Sequence, residues 1–569
     1  MEQSAKLPNI VGEGGLFGFS GMDGETNTAS GFVATWGNDF SLLFHTPRRR
    51  RLSVKLGAEA EVVYATGDSC RIAAPSGDFT ATYAAWHTLV GRLPEGAGLQ
   101  LQFEDGTDSD ELSDGMRVTR DIKVDDCIVL RLSGERYAVC YGSTMEEAAG
   151  RASAGIDIAA DADSILQRRL RIFEEAPALP DAYHQRLLGK CISVMKVNTL
   201  SPEGGMKQMW STPDRVPHRH MWLWDTVFHS LAMNDVSPDI SWQCLKTMLD
   251  TQKEDGMIAH QISVDGRPSG ITQPPVLAWG VWENYRKQEA VDKLAYALPI
   301  LENYLEWDMR NRDVNGNGLL EWHIEGKVNC RSGESGMDNS NRFDEALTLD
   351  AVDFSTFMAR EMDYVAQMAL ELGLKDKAAY WSERARELGS RIVSELWDER
   401  DRFFYDRHMD GTFSRVKAVS GFLPLLLKEL PAAQTERLVQ LLRDPDHFGT
   451  VYPVPSLAVS EPQWGTDMWR GPTWINLNYL IIKGLRLHGR EEEADRLTDR
   501  SIELVDKYYR RYGVTFEYYD AKDERPPVAC DRKGPVSERY DIRVKVDSIR
   551  DYHWTAALTA CMLRQKYGV

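Results

Sequence analysis

The sequence predicts a mainly helical protein: a barrel of six helical hairpins, (α/α)6, preceded by an antiparallel β-sandwich. Three observations predict it. Short strand-like runs crowd the first ~150 residues, twelve helical stretches follow in close succession from residue 181, and long aromatic segments separate many of those helices. The expected organisation is a β-sandwich over 1–157, a linker helix within 158–180 and a helical domain over 181–569. A chain of 569 residues is too long for one ordinary core, so two or three domains are expected.

Each element has a local reason. The runs at 32–36, 52–56, 79–83, 99–103 and 127–132 are short, several alternate with period two, and Gly, Asp, Pro and Ser punctuate them. Many short strands without a long helix imply a sandwich. The four arginines Arg48 to Arg51 read as an exposed turn or edge strand. Ser164 to Glu175 reads as a connecting helix that Pro177 and Pro180 close.

Beyond Asp181 helices are expected near 181–197, 219–234, 238–252, 275–288, 292–311, 351–373, 375–398, 420–428, 435–444, 471–489, 491–512 and 553–567. Ser237-Pro238 gives an N-cap with proline in the first turn, and Gly489 and Gly513 mark C-termini. Paired succession of twelve helices is what six hairpins require. The segments 253–274, 312–350, 449–470 and 514–552 are long, and too aromatic for disorder; loops of that length are usually functional. They are expected to gather at one mouth of the barrel.

Composition narrows the function. A hydrophobic fraction of 43% and a charged fraction of 27% fit a soluble globular protein. The net charge of −19 argues against nucleic acid or an anionic membrane as partner. No stretch approaches the ~20 apolar residues of a membrane span, and residues 1–15 lack the apolar core of a signal peptide, so a cytoplasmic location is expected. Eight scattered cysteines suggest neither a zinc site nor a disulfide framework. The sequence is silent on oligomeric state.

Two carboxylates stand out. Asp338 lies in Glu334-Ser335-Gly336-Met337-Asp338-Asn339-Ser340, and Glu517 in Phe516-Glu517-Tyr518-Tyr519-Asp520. Cleavage of a glycosidic bond needs one carboxyl to protonate the leaving oxygen and another to activate water. To act as the acid near neutral pH, Asp338 needs a raised pKa, which Met337 and aromatic neighbours would supply by desolvation. Asn339 is placed to hold it. Trp224, Trp469 and Trp474 are candidates to stack on sugar rings, with the core as the alternative. Arg342 and Arg470 either bind substrate or pair with carboxylates of the site.

Trp222-Leu223-Trp224-Asp225-Thr226-Val227-Phe228-His229, Thr272-Gln273-Pro274-Pro275, Glu334 to Arg342, Trp469-Arg470-Gly471-Pro472-Thr473-Trp474, Phe516-Glu517-Tyr518-Tyr519 and Trp554-Thr555-Ala556-Ala557 resemble, in the same order, glycoside hydrolase family 63. Trehalases of family 37 are similar. The resemblance covers about 220–560. It implies an (α/α)6 barrel and hydrolysis with inversion, with Asp338 as general acid and Glu517 as general base. It also implies that Asp225 binds hydroxyls of the sugar, that Gln273, Trp469 and Arg470 stand near it, and that Trp554 lines the pocket. The expected substrate is a short α-linked glucoside, mannoside or galactoside, cleaved from its end. The rivals are a trehalase-like or phosphorylase-like enzyme on the same scaffold and a catalytically silent sugar-binding protein.

The chemistry needs no cofactor. A structural calcium is a separate question. Asp313, Asn315, Asn317, the carbonyl of Leu319 and Glu321 resemble the first half of a calcium loop, but its usual twelfth position is Ile324. A tight Asn-Gly turn is the alternative. Two features depart from the family pattern: Asn341 stands where family members often have proline, and an insert over 520–552 carries Arg525, Arg532, Lys533, Arg539, Arg543, Lys545 and Arg550. The insert matters more. It reads as a solvated hairpin, or as a basic lid suited to an anionic aglycone such as glycerate.

Overall fold

The computed structural model describes residues 5–38, 40–325, 330–345, 348–534 and 547–569. Its first part is two antiparallel sheets. Strands β1 (Leu16–Phe17), β2 (Ala34–Trp36), β3 (Ser41–Phe44), β4 (Arg50–Lys55) and β9 (Gly98–Phe103) form one, in that order. The other runs β10 (Asp110–Glu111), β11 (Met116–Asp121), β12 (Asp126–Ser133), β13 (Arg136–Gly142), β8 (Thr88–Arg92), β7 (Gly77–Ala85), β6 (Ser69–Ala74) and β5 (Glu61–Ala65). Residues of both sheets share one apolar core, with Trp36, Phe44 and Leu52 against Ile72, Tyr83 and Ile128. Period-two alternation puts every other side chain into that core.

Two expectations for this region fail. A 14-residue helix, α1 (Met145–Ile158), packs on the outer face of β12, β13 and β8. Its buried face is mostly small, with Ala148, Ala152, Gly155 and Ile156, so it carries little of the apolar signal that marks a helix. The arginine run is also not simply exposed. Arg50 is 0% exposed and pairs with Asp126 across the two sheets, whereas Arg48 stays outside on Asp105.

Helix α2 (Ala162–Glu174) leads into the helical part. There follow α3 (Ala182–Val197), α4 (Leu223–Met233), α5 (Pro238–Leu249), α6 (Leu277–Gln288), α7 (Val291–Arg312), α8 (Val352–Glu371), α9 (Lys375–Glu395), α10 (Ala432–Arg443), α11 (Ile475–Leu487), α12 (Glu491–Tyr512) and α13 (His553–Tyr567). Eleven of the twelve expected stretches are therefore α-helical. The twelfth, Val419–Leu426, is a 3-10 helix, because Pro424 removes a backbone donor within it. Capping follows the sequence: the Ser237 hydroxyl accepts from the Ile240 N–H, and Gly513 ends α12 with a left-handed φ of 71°.

The packing order is a closed ring. α4 packs on α6, α6 on α8, α8 on the 419–426 helix, that helix on α11, α11 on α13, and α13 back on α4. α3, α5, α7, α9 and α12 lie outside this ring, each against one or two of its members. Burial agrees with the two layers. All eleven residues of α4 are buried, as in a helix surrounded by others, while α12 presents charged residues on its outer face. Among the described residues no helix is long and apolar enough to cross a membrane.

The sheets and helices are cross-tied. Lys196 of α3 pairs with Asp68 at 2.5 Å and Asp23 at 3.0 Å, and Arg215 donates to the Phe19 carbonyl. Asp551, just before α13, accepts from the Leu16 and Thr515 N–H groups and pairs with Lys190.

Candidate active site

The segments that precede the ring helices converge. Trp222 to Asp225 opens α4, Gln273 to Val276 leads into α6, 338–345 and 348–350 precede α8, 468–474 leads into α11 and 550–554 into α13. N-terminal ends of the inner helices thus form one mouth, and the predicted residues arrive there from these five places and, with Glu517, from a sixth that follows α12.

The Asp338 loop is braced from behind. Glu334 takes both forks of Arg312, at 2.7 Å each, and the Thr272 and His323 N–H groups. The Asp338 carbonyl accepts from the Arg331 and Ser332 N–H groups. Gly336 has φ 71°, and a Cβ there would stand 2.5 Å from the Trp224 ring. Only glycine allows the loop to lie on that tryptophan.

Glu517 sits in a short extended stretch. Its N–H donates to the Ile549 carbonyl, Thr473 and Tyr519 exchange backbone bonds, and Tyr518 N–H donates to the Ser548 hydroxyl. The side chain is 4% exposed and faces inward.

Asp225 is within reach of the charge of both. Its carboxyl is 2% exposed and one oxygen has no hydrogen-bond partner among the described residues. Burial pushes its pKa well above the usual carboxylate range, and the charges of Glu517, Asp214 and Asp338 push the same way. A buried polar atom without a protein partner is costly, and such atoms in a cleft are where ligands bind.

Aromatic rings line the site. Trp224 stands edge-on to Trp554 at 5.4 Å and tilted to Trp469 at 6.4 Å, and Trp469 stacks on Trp474 at 3.7 Å. All four are nearly fully buried, so the core reading and the pocket reading both describe them. The indole N–H of Trp554 is buried without a partner among the described residues.

Other predicted residues brace rather than face the mouth. Gln273 accepts from the Trp224 N–H at 3.1 Å. Asn339 accepts from the Trp469 N–H and donates to Asp467. Arg470 donates to the Asn339 carbonyl and pairs with Asp344. Arg342 is 2% exposed and is held by Asp353 at 2.7 Å and Asp406 at 3.3 Å. Burial pushes Asp406 up to about 6 despite that arginine.

The insert, expected to be a solvated hairpin or a basic lid, places two of its cations on the candidate carboxylates. Arg532 pairs with Glu517, and Lys533 donates to Asp338 at 2.7 Å. Burial works against the Lys533 charge, but Asp338 outweighs it and holds the ammonium above the usual lysine range. Asp467 fixes the backbone beneath, accepting from the Lys533 N–H at 2.7 Å and the Gly534 N–H at 2.9 Å. Tyr518 adds a hydroxyl bond to the Asp531 carbonyl. Arg539, Arg543 and Lys545 lie outside the described residues. Asp214, which the sequence reading passed over, is buried against His218 and adds to the negative cluster.

The candidate calcium loop is a hydrogen-bonded knot. The side-chain oxygen of Asn315 accepts from the Asn317 N–H, and that of Asn317 accepts from the Leu319 N–H. The amides of both asparagines donate to Asp350, which Arg407 also holds. One oxygen each of Asp313 and Glu321 is buried without a partner among the described residues, and burial pushes Glu321 up to about 7. Among the described residues no group of three or more His, Cys, Asp or Glu converges as a metal site.

A family model described as the mannosylglycerate hydrolase MGH1-like glycoside hydrolase domain matches residues 218–555, more than half of the chain. The chain belongs to this family, within glycoside hydrolase family 63. Mannosylglycerate hydrolase MGH1 of Selaginella moellendorffii is 26% identical over 64% of this chain and 90% of its own length. An uncharacterized protein of Borreliella burgdorferi is 27% identical over 47% of this chain, which spans about half (55%) of that relative. The family 63 mannosylglycerate hydrolase of Thermus thermophilus, solved with glucose, superimposes with a TM-score of 0.54 at 23% identity, over 67% of this chain and 100% of that one. A bacterial glucoamylase solved with acarbose gives 0.57 at 11% identity, over 99% and 97%. These two likenesses concern the fold. The family 63 protein is thus a glycoside hydrolase, mainly helical, with a sheet-rich N-terminal region.

Proposed function

We propose that this family 63 hydrolase is an inverting, exo-acting α-glycosidase that hydrolyses a short α-linked glucoside, mannoside or galactoside. The observation that carries the reading is the convergence of Asp225, Asp338 and Glu517 on one tryptophan-lined mouth. Asp338, 27% exposed, gives its proton to the glycosidic oxygen, and Glu517, more deeply set, takes a proton from the attacking water on the opposite face of the sugar. Asp225 holds hydroxyls of the sugar through its unpartnered oxygen. The scaffold we read as an (α/α)6 barrel over 181–569, which the closed ring of helices supports, behind a β-sandwich over 1–157 and a linker over 158–180. That relatives are mannosylglycerate hydrolases makes glycosylglycerates the first substrates to try.

The test is hydrolysis of a panel of α-linked disaccharides and glycosylglycerates by the wild type, D338N and E517Q. Turnover of at least one substrate, lost in both variants, supports the reading. Binding without turnover across the panel favours a silent sugar-binding protein.

We also propose that the 313–321 loop holds a structural calcium. The orphaned buried oxygens of Asp313 and Glu321 fit a hard cation. The ion would tie the end of α7 to the start of α8 and has no part in the hydrolysis.

A further inference from the structure

Two neighbouring cations of the insert occupy both proposed catalytic carboxylates, and they are not equivalent. The Arg532–Glu517 pair is sealed, with side chains 6% and 4% exposed. The Lys533–Asp338 pair is 33% and 27% exposed. Asp467 pins the backbone at Lys533 and Gly534, so the lysine side chain can swing while its backbone stays in place. The contact also conflicts with the chemistry. Lys533 donates to Oδ2 of Asp338, and an oxygen that accepts from an ammonium is not the one that donates a proton to a leaving group.

We infer that Lys533 is a specificity-determining residue: its ammonium occupies Asp338 in the resting enzyme and transfers to an anion on the leaving group of the substrate, which frees the acid. The inference rests on the acid role of Asp338 proposed above. Lys533 stays an ammonium throughout. Once released, Asp338 takes a proton from solvent and passes it to the glycosidic oxygen as the bond to the anomeric carbon breaks. Water then forms the new bond to that carbon and leaves its proton on Glu517. A neutral leaving group offers Lys533 nothing in exchange, so it must break the Lys533–Asp338 pair uncompensated. The carboxylate of a glycosylglycerate compensates it; the hydroxymethyl of the corresponding glycosylglycerol, otherwise the same molecule, does not.

The experiment compares kcat/KM for that pair of substrates in the full-length wild type, K533M, K533Q and D338N, with the unfolding midpoint of each. A hydrogen bond to a charged group sets the scale at about 10- to 100-fold. The wild type should prefer the anionic substrate by at least about tenfold, and both Lys533 variants should lose that preference. The decisive change is that hydrolysis of the neutral substrate rises by about tenfold in them, since Asp338 is then free. A simple anion-binding lysine would leave the neutral rate unchanged. A neutral rate that stays level or falls in either folded variant overturns this inference alone, provided D338N is inactive on both substrates. Full activity of D338N would overturn the parent reading as well.

Discussion

Replacing Asp225 by Asn separates its cost to the fold from its use in the site. Its carboxyl is buried, one oxygen is unpartnered, and burial followed by Glu517, Asp214 and Asp338 raises its pKa well above the usual value. The native protein therefore holds this proton more tightly than the unfolded chain does. That stability is fully present below about pH 4 and is lost as pH rises toward the native value, at about 1.4 kcal/mol per pH unit. Asparagine has the same shape and does not titrate. It costs about 2 kcal/mol for an amide placed where a neutral acid sat. The variant should be less stable than the wild type by about 2 kcal/mol near pH 4, and that deficit should shrink as pH rises. Denaturant midpoints measured across about pH 4 to 7.5 read this change, and kcat/KM measured alongside should fall by about 100-fold or more as a sugar contact is lost. A stability difference that stays flat with pH would refute the raised pKa. Unchanged activity would remove Asp225 from the site.

Three further outcomes are expected. D338N and E517Q should each lower kcat by about 10²- to 10⁴-fold, measured as initial rates on the preferred substrate; D338N should keep an unfolding midpoint near that of the wild type, whereas E517Q should also lower the midpoint because it leaves the buried Arg532 without its counter-charge, and loss of folding in D338N would mean a structural role. R342M leaves Asp353 and Asp406 buried without their cation and should cost about 3–5 kcal/mol in denaturant unfolding, whereas a small change would show that water reaches those carboxylates. Chelation should lower the melting temperature and calcium should restore it, with calcium at about 100 times its Kd adding about 2.7 kcal/mol; identical melts with and without the ion would leave the 313–321 loop a plain turn.

The helices were legible because their cause is local. Apolar spacing, Ser237-Pro238 and Gly513 act within a few residues, and eleven of twelve expected stretches form as α-helices. Helix α1 escaped because its buried face of Ala148, Ala152 and Gly155 packs by smallness rather than by apolar bulk. Asp338 and Glu517 were legible from their aromatic and glycine-rich settings, and the structure brings both into one charged cluster with Asp225. What the sequence hid was partnership. Nothing local says that Arg342 serves Asp353 and Asp406, or that Lys533 of the insert reaches a carboxylate 195 positions away. Such pairs depend on how the loops meet at the mouth, and no periodicity records it.

The central claim is that Asp338 and Glu517 act as an acid and base pair on opposite faces of the sugar. The measurement that tests it most directly is the anomer released first, followed by proton NMR during hydrolysis of the preferred α-glycoside. The account predicts the β-anomer, with the α-anomer growing in only by mutarotation. Early α-anomer would mean that one of these carboxylates attacks the sugar itself, and would contradict the assigned roles.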